Sequence, residues 1–353
     1  MSSCVIFGGS GFVGSHLTRH FLKTGRFDRI HLADIQPSPL DGTPGVSYSH
    51  TDVRERIELI GDMRRADWIF NLAAVHREPG HEPEEYYQTN VAGAKNVCDF
   101  ADRIGCSNMY FTSSIAVYGP TQGPTTEDSP FRPATPYGGS KYAAETIKRM
   151  WRRQRIGRRL LISRPGVLYG PGDTGNIMRM IRAIKKGYFA YPGSSNICKS
   201  YGYILGLLDS VDFLIDGDHN EVIYNYVETP TQPLSELVDE IKKHLQCRAL
   251  VAAVPMSLLL PISRAVQVVL GAKNPIHPVR VQKAATPTYI IPQVLLNMGF
   301  QFKYPFCDSL RHWEQVAPED FGLPISSPIQ VAPQRLCVEA AVEGRRSEEV
   351  QHQ

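Results

Sequence analysis

The sequence predicts an α/β fold, a doubly wound parallel sheet with a smaller C-terminal α/β lobe, on three observations. Short apolar runs alternate with helix-length amphipathic segments up to residue 170, a glycine-rich turn follows the first run, and beyond residue 170 the alternation breaks into pieces punctuated by glycine and proline. Alternation of this kind builds strand, crossover helix and parallel strand, because a short apolar run must be covered on both faces.

In chain order, buried strands are expected at Cys4–Phe7, Ile30–Asp34, Trp68–Leu72, Met109–Thr112 and Leu160–Ser163, with one more strand position just before Asp52. In the second half, helices are expected near 175–187, 235–246 and 256–270, and Val222–Val227 reads as a strand. Residues 1–170 then form one domain, and 171–323 form mainly a smaller substrate lobe, with some segments returning to the sheet. Residues 324–353, rich in Ser, Pro, Gln and Glu and without periodicity, read as a flexible tail.

Composition narrows the class. With 353 residues, 42% hydrophobic and 21% charged, and a formal charge of +3, the chain can bury a large core; disorder throughout, collagen and a small disulfide scaffold are excluded. Seven cysteines, an odd number without a Cys-x-x-Cys pair, indicate neither a zinc site nor a complete disulfide framework, so no metal and a reducing cytosol are expected. The first residues run directly into an apolar strand, which argues against a secretory signal. Ala249–Gly271 carries a single charge, Arg264, but its uncharged part contains Pro255 and Pro261 and falls short of the roughly 18 residues that span hydrocarbon.

Gly8, Gly11 and Gly14 sit between the first strand and a helical segment. Glycines so spaced allow a tight turn, close approach of backbone to a pyrophosphate, and close packing of helix on sheet, while the free N–H groups of Phe12 and Val13 hold the anion. Asp34 closes the next strand and can accept hydrogen bonds from both adenosine ribose hydroxyls, but would repel a 2′-phosphate. This is a Rossmann-type signature that favours NAD. Asp52 and Val53 are placed either to contact adenine or, for Asp52, to cap a helix over Arg54–Met63.

Tyr137 and Lys141, four residues apart, share one face if a helix begins there, and a cation beside a phenol favours the phenolate. The pattern predicts Tyr137 as a general base of lowered pKa with Lys141 as its partner and a donor to the nicotinamide ribose. Ser113 and Ser114 end the strand that begins at Met109, where a serine either faces the ligand crevice or caps the strand.

With these residues in hand, the chain resembles the extended short-chain dehydrogenase/reductases, in their NAD-dependent sugar epimerase/dehydratase branch. The likeness runs from residue 4 to about residue 315 through the glycine turn, Asp34, Asp52-Val53, Asn71-Leu72-Ala73-Ala74, Thr89-Asn90-Val91, Ser113 to Gly119, Tyr137/Lys141 and Arg164-Pro165 to Gly170. It implies a catalytic set of Ser114, Tyr137 and Lys141, a cofactor site that adds Leu72, Ala73, Ala74, Asn90 and Pro165, and a homodimer. Family dehydratases carry an acidic pair after the strand-end hydroxyl; here Ile115 and Ala116 stand there, which disfavours dehydration and resembles the 4-epimerases.

The resemblance further implies that Asn176, Lys199 and Arg280 contact a substrate diphosphate, against a helix cap for Asn176 and solvated charge for the other two. Segments such as His76-Arg77-Glu78 and Val279-Arg280-Val281 resemble the subgroup that epimerises N-acetylhexosamine on polyprenyl diphosphate. The implied activity is 4-epimerisation of a polyprenyl-diphosphate- or UDP-linked N-acetylhexosamine in cell-envelope polysaccharide synthesis. The alternatives are a net oxidoreductase, of 4-keto-sugar reductase or hydroxysteroid dehydrogenase type, and a catalytically silent NAD-binding protein.

Seven cations between Lys148 and Arg159, together with the apolar segment Pro255–Leu270, could rest on an anionic membrane, which would make the protein cytoplasmic and peripheral. Against this stand solvated helix ends and a helix that closes the lobe. Nothing accompanies the basic cluster that would read nucleic acid.

Overall fold

Seven strands, all parallel, make the main sheet. In the computed structural model, which describes residues 2–59, 65–121, 123–271 and 277–323, these are β1 (Ser3–Phe7), β2 (Arg29–Asp34), β3 (Val46–His50), β4 (Trp68–Asn71), β5 (Asn108–Thr112), β6 (Arg159–Pro165) and β10 (Glu221–Tyr226). Their order is β3-β2-β1-β4-β5-β6-β10. Chain direction across the sheet reverses between β1 and β4, so the ligand crevice of such a sheet lies at their carboxyl ends.

The strands are apolar on alternate residues toward both faces. Cys4 and Ile6 join Leu17 and Phe21 of α1 (Phe12–Thr24) and Leu207, Val211 and Leu214 of α6 (Ile204–Asp216) on one side. Val5 and Phe7 join Val97 and Phe100 of α3 (Gly93–Ile104) and Ala144 and Trp151 of α4 (Pro136–Arg153) on the other. Val222–Val227, read from sequence simply as a strand of the second half, is in large part β10, the seventh strand of this sheet, paired with β6.

The second lobe has its own core. Ile177 and Ile181 of α5 (Asn176–Lys185), Leu237 and Ile241 of α7 (Leu234–His244), and Leu310 and Trp313 of α11 (Phe306–Val316) pack around Tyr169 and Tyr203. Two short parallel pairs complete it, β7 (Val167–Tyr169) with β9 (Tyr201–Tyr203) and β8 (Tyr188–Pro192) with β11 (Leu250–Val254). The remaining helices are α2 (Pro83–Tyr87), α8 (Met256–Leu270), α9 (Pro278–Ala285) and α10 (Gln293–Asn297).

Two expectations are corrected here. Residues 53–59 are not helical, so Asp52 caps no helix there; 60–63 lie outside the described residues, as does the tail from 324. The basic cluster is largely spent inside the protein: buried Lys148 donates to the Ala94 carbonyl at 3.1 Å, Arg149 pairs with Glu221 at 2.8 Å, and Arg158 binds Asp102 and the Trp151 carbonyl. Arg159 gathers the carbonyls of Leu214, Ile215 and Gly217 at the end of α6. In line with the reading of Ala249–Gly271, no helix among the described residues is long and apolar enough to cross a membrane.

Candidate active site

The glycine turn is built for close approach. A Cβ on Gly8, whose φ is +80°, would stand 2.6 Å from the Ala73 nitrogen, and one on Gly14 would stand 2.3 Å from the Gly8 oxygen. Helix α1 follows with Gly11 at its N-cap, no side chain capping it and no acidic residue in its first turn. Its leading N–H groups, Phe12 and Val13 among them, therefore lack a side-chain acceptor and face the β1/β4 crevice.

Asp34 stands at the carboxyl end of β2, where its two oxygens accept from the backbone N–H of Ser10 at 3.0 Å and of Gln36 at 2.9 Å. One bond on each oxygen leaves a lone pair on each for a ribose hydroxyl. Leu72 is tied to the Phe7 carbonyl at 2.8 Å, and Ala73 lies against Gly8, so 72–74 form the floor of the crevice. Asn71 just before it is buried, and its Oδ1 has no partner among the described residues. An uncapped helix end, a glycine cradle and a pinned carboxylate fit a dinucleotide.

Other members of the expected cofactor set do different work. Asp52 is committed to Arg54, accepting from its backbone N–H at 2.9 Å and from its guanidinium, which holds the carboxyl below its usual range; Val53 is core, under α3. Asn90 is buried with its amide across the Val75 backbone, N–H to Oδ1 and Nδ2 to O both at 3.0 Å, and with Nδ2 also on Ser140 Oγ at 2.8 Å. It positions the 72–75 loop, with both Nδ2 hydrogens committed and one lone pair of Oδ1 left. Pro165 ends β6, buried.

Tyr137, Lys141 and Ser114 are brought together by α4. Thr135 caps that helix, accepting from Gly138 N–H at 3.2 Å, and a Cβ on Gly138 would stand 2.5 Å from the Ala116 oxygen; the first turn of α4 thus lies directly on the 3-10 turn Ile115–Tyr118. That contact sets Tyr137 in hydrogen-bonding range of Ser114, the residue capping the 3-10 turn. One helical turn on, Lys141 is buried and donates to the Thr112 carbonyl at 2.8 Å.

The electrostatics differ from the expectation. Burial pushes the Tyr137 phenol up to about 12; the Ser114 hydrogen bond opposes the rise, and Glu78 and Tyr86 add to it. Burial also brings Lys141 down to about 7, against the pull of Glu145. The predicted lowering of the phenol is therefore absent: desolvation exceeds what the Ser114 hydrogen bond gives back, and the Lys141 ammonium is turned to the Thr112 carbonyl.

The expected diphosphate contacts divide. Asn176 opens α5, and its Oδ1 accepts from Arg179 at 2.7 Å. Arg179 in turn lies near enough to Arg280, on α9, that burial and then this second cation lower its pKa. Lys199 is elsewhere: its ammonium binds the carbonyls of Lys283 and Thr286 and so caps α9, and burial brings it down to about 8.

Sequence reading missed Arg179 as a site residue, although it follows Asn176 by one helical turn. It also missed Lys283, one turn after Arg280, and its partner Glu78, 205 residues away along the chain and beside Tyr137. Helix α9 is thereby tied through Lys283 to Glu78, whose charge bears on Tyr137, and carries Arg280 one turn before it.

The sequence profile of the NAD dependent epimerase/dehydratase family matches residues 4–228. An N-acetyl-α-D-glucosaminyl-diphospho-ditrans,octacis-undecaprenol 4-epimerase of Escherichia coli O157:H7 is 29% identical over 315 residues, covering 87% of this chain and 92% of that protein. UDP-glucose 4-epimerase 2 of Arabidopsis thaliana is 32% identical over 162 residues, 42% of this chain and 46% of its own. Among solved structures, UDP-glucose 4-epimerase of Thermus thermophilus in complex with NAD superposes with a TM-score of 0.69 at 18% identity, over 90% of this chain and 98% of that one.

Proposed function

Because the chain belongs to the NAD-dependent epimerase/dehydratase family, we propose that it is an NAD-dependent 4-epimerase of a diphosphate-linked N-acetylhexosamine, serving cell-envelope polysaccharide synthesis. The observation that carries the reading is the contact of Ser114 with Tyr137 above a buried Lys141, followed by Ile115 and Ala116, which have no proton to give. Epimerisation needs one group to take and return one proton, whereas dehydration needs a further acid and base at this turn.

The Gly8–Gly14 turn and Asp34 hold NAD, which when bound supplies the hydride acceptor and donor. Tyr137 Oη takes the proton of the sugar 4-hydroxyl and returns it once the 4-keto sugar has turned over. Ser114 donates to the phenolate and so favours it, and Lys141, one turn below, adds positive charge. Asn176, Arg179 and Arg280 take the diphosphate. This use of Arg179 and Arg280 is supported by their charge: burial and then Arg280 lower the Arg179 pKa, so each guanidinium lies within the other's field, where an anion would be favoured. The name of the Escherichia coli relative, which places its sugar on a polyprenyl diphosphate, supports the same substrate class.

The homodimer belongs to this proposal, with the exposed Tyr142 and Met150 of α4 as contact residues, and so does a peripheral position at the cytoplasmic face of a membrane. The test is incubation of purified protein with UDP-linked and polyprenyl-diphosphate-linked N-acetylglucosamine, with sugar stereochemistry read by NMR and reduced cofactor by absorbance. The 4-epimer without net reduction is expected. Stoichiometric reduced cofactor would make the protein an oxidoreductase instead.

A further inference from the structure

Helix α8 has the composition of a core helix and the exposure of a surface one. Of its side chains whose burial is described, Ser263 alone is buried. Leu258, Ile262, Ala265 and Val269 follow one another at helical spacing along an exposed stripe, and Leu258, Ile262 and Val269 are 58%, 51% and 80% exposed. A soluble protein places polar residues on such a stripe.

The charge carried by α8 itself, by its neighbour α9 and by α5 has one sign, with Lys283 of α9 already paired to Glu78. Helices α5, α8 and α9 contain no Asp or Glu; their charged residues are Arg179, Arg182, Lys185, Arg264, Arg280 and Lys283. Arg264 is exposed on α8 itself, and α9, which packs against α8, carries Arg280. Apolar side chains flanked by cations match an anionic phospholipid surface, where the stripe enters the acyl boundary and the cations meet phosphate. A second copy of this chain fits poorly, since a two-fold contact would set this cationic face against itself.

We propose that α8 lies in the surface of an anionic bilayer and so presents Arg280 of the adjoining α9 at headgroup level. Its 15 residues span about 22 Å, short of the roughly 30 Å of hydrocarbon, so it lies on the membrane without crossing it. Resting on the function proposed above, the placement selects the polyprenyl carrier: the lipid tail stays in the bilayer while its diphosphate enters beside Arg280.

The test is co-sedimentation of the full-length protein with vesicles of phosphatidylglycerol and phosphatidylethanolamine, and with phosphatidylcholine alone, for wild type and L258E/I262E, with circular dichroism to verify the fold. Wild type should bind the anionic vesicles, more weakly as salt rises, and L258E/I262E should bind at least about tenfold more weakly. In a second variant, V269W, tryptophan emission should shift to the blue on the same vesicles. Absence of wild-type binding, unchanged binding by L258E/I262E, an unshifted V269W, or a wild-type dimer that L258E/I262E dissociates in the ultracentrifuge would each overturn the proposal. Epimerisation of polyprenyl-diphosphate-linked and UDP-linked N-acetylglucosamine is read separately, in detergent micelles and in solution: absence of both counts against the proposed function and leaves vesicle binding to decide this inference.

Discussion

Glu145 and Arg164 face each other as a doubly bonded ion pair inside the protein, Nη2 to Oε2 at 2.7 Å and Nε to Oε1 at 2.9 Å, both side chains almost wholly out of solvent. The pair sits behind the catalytic residues. Ser113 donates to Glu145 Oε1 at 2.5 Å, and Arg164 donates to the Tyr118 hydroxyl at 2.8 Å, which itself donates to Asn225 of β10 at 2.8 Å. One chain of polar contacts thereby joins α4, β5, β6 and β10 next to Ser114 and Lys141.

Breaking the pair leaves an unpaired charge in the interior, which costs about 3–5 kcal/mol. Arg164→Met should lower the denaturation free energy by about that amount in chemical unfolding, and Glu145→Gln by a comparable amount. A loss below about 1 kcal/mol, the scale of a surface pair, would show that the bridge is not the brace described here.

Tyr137→Phe should abolish turnover and leave NAD binding at the wild-type level, because the glycine turn and Asp34 lie elsewhere in the crevice. Ser114→Ala should reduce kcat by about 10²–10⁴-fold, since it removes the one hydrogen bond that favours the phenolate. Steady-state rates beside calorimetric NAD binding measure both; near-normal turnover by Tyr137→Phe would remove the proton-transfer role.

The contrast between these groups explains what could be read from sequence. The turn at Gly8 to Gly14, the carboxylate at Asp34 and the one-turn spacing of Tyr137 and Lys141 are local patterns, and each lies at the end of the strand or in the helix expected for it. What could not be read is set by contacts across the chain. Lys199 has the charge for a phosphate site, but the fold places the last carbonyls of α9 in its reach first. Lys148 and Arg159 look like solvated charges until α3 and α6 supply carbonyls for them. A side-chain type gives the chemistry available, and tertiary placement decides which partner consumes it.

Asp34→Ala should weaken NAD by at least about tenfold, the loss of hydrogen bonds to a charged acceptor, and narrow the preference for NAD over NADP. Asp34→Asn retains an oxygen for one of the two backbone N–H groups, and so separates loss of charge from loosening of the turn. Dissociation constants for both cofactors check this, and an unchanged NAD/NADP ratio in both variants would take the ribose away from Asp34.

Lys141 makes stability depend on pH with a definite sign. Its folded pKa, about 7, lies below the ordinary lysine value of 10.5, so between these limits the unfolded chain binds more protons than the native one. Stability contributed by this group therefore rises with pH across that window and is lost as pH falls toward 7. Lys141→Met lacks the effect: in cofactor-free protein, the Tm of wild type minus that of Lys141→Met should increase from pH 7 to pH 10. A flat or falling difference would mean that the lysine is less desolvated than its place under Thr112 implies.

Arg179 and Arg280 make opposite demands on the free and the substrate-bound protein. Burial and then Arg280 lower the Arg179 pKa, Asp173 opposes them, and Asn176 accepts from the Arg179 guanidinium at 2.7 Å. A diphosphate removes the repulsion and gains charge-assisted bonds, each worth about 1.5–3 kcal/mol. Arg179→Ala and Arg280→Ala should therefore each raise KM by about tenfold to a hundredfold with kcat nearly kept, since neither touches the 4-position of the sugar. Each should also reduce the salt dependence of KM. Because each arginine acts in the field of the other, and both on one diphosphate, the double variant should lose less than the product of the single losses. Strict additivity would show that the two guanidiniums act on separate groups, and a fall in kcat at unchanged KM would place the diphosphate elsewhere.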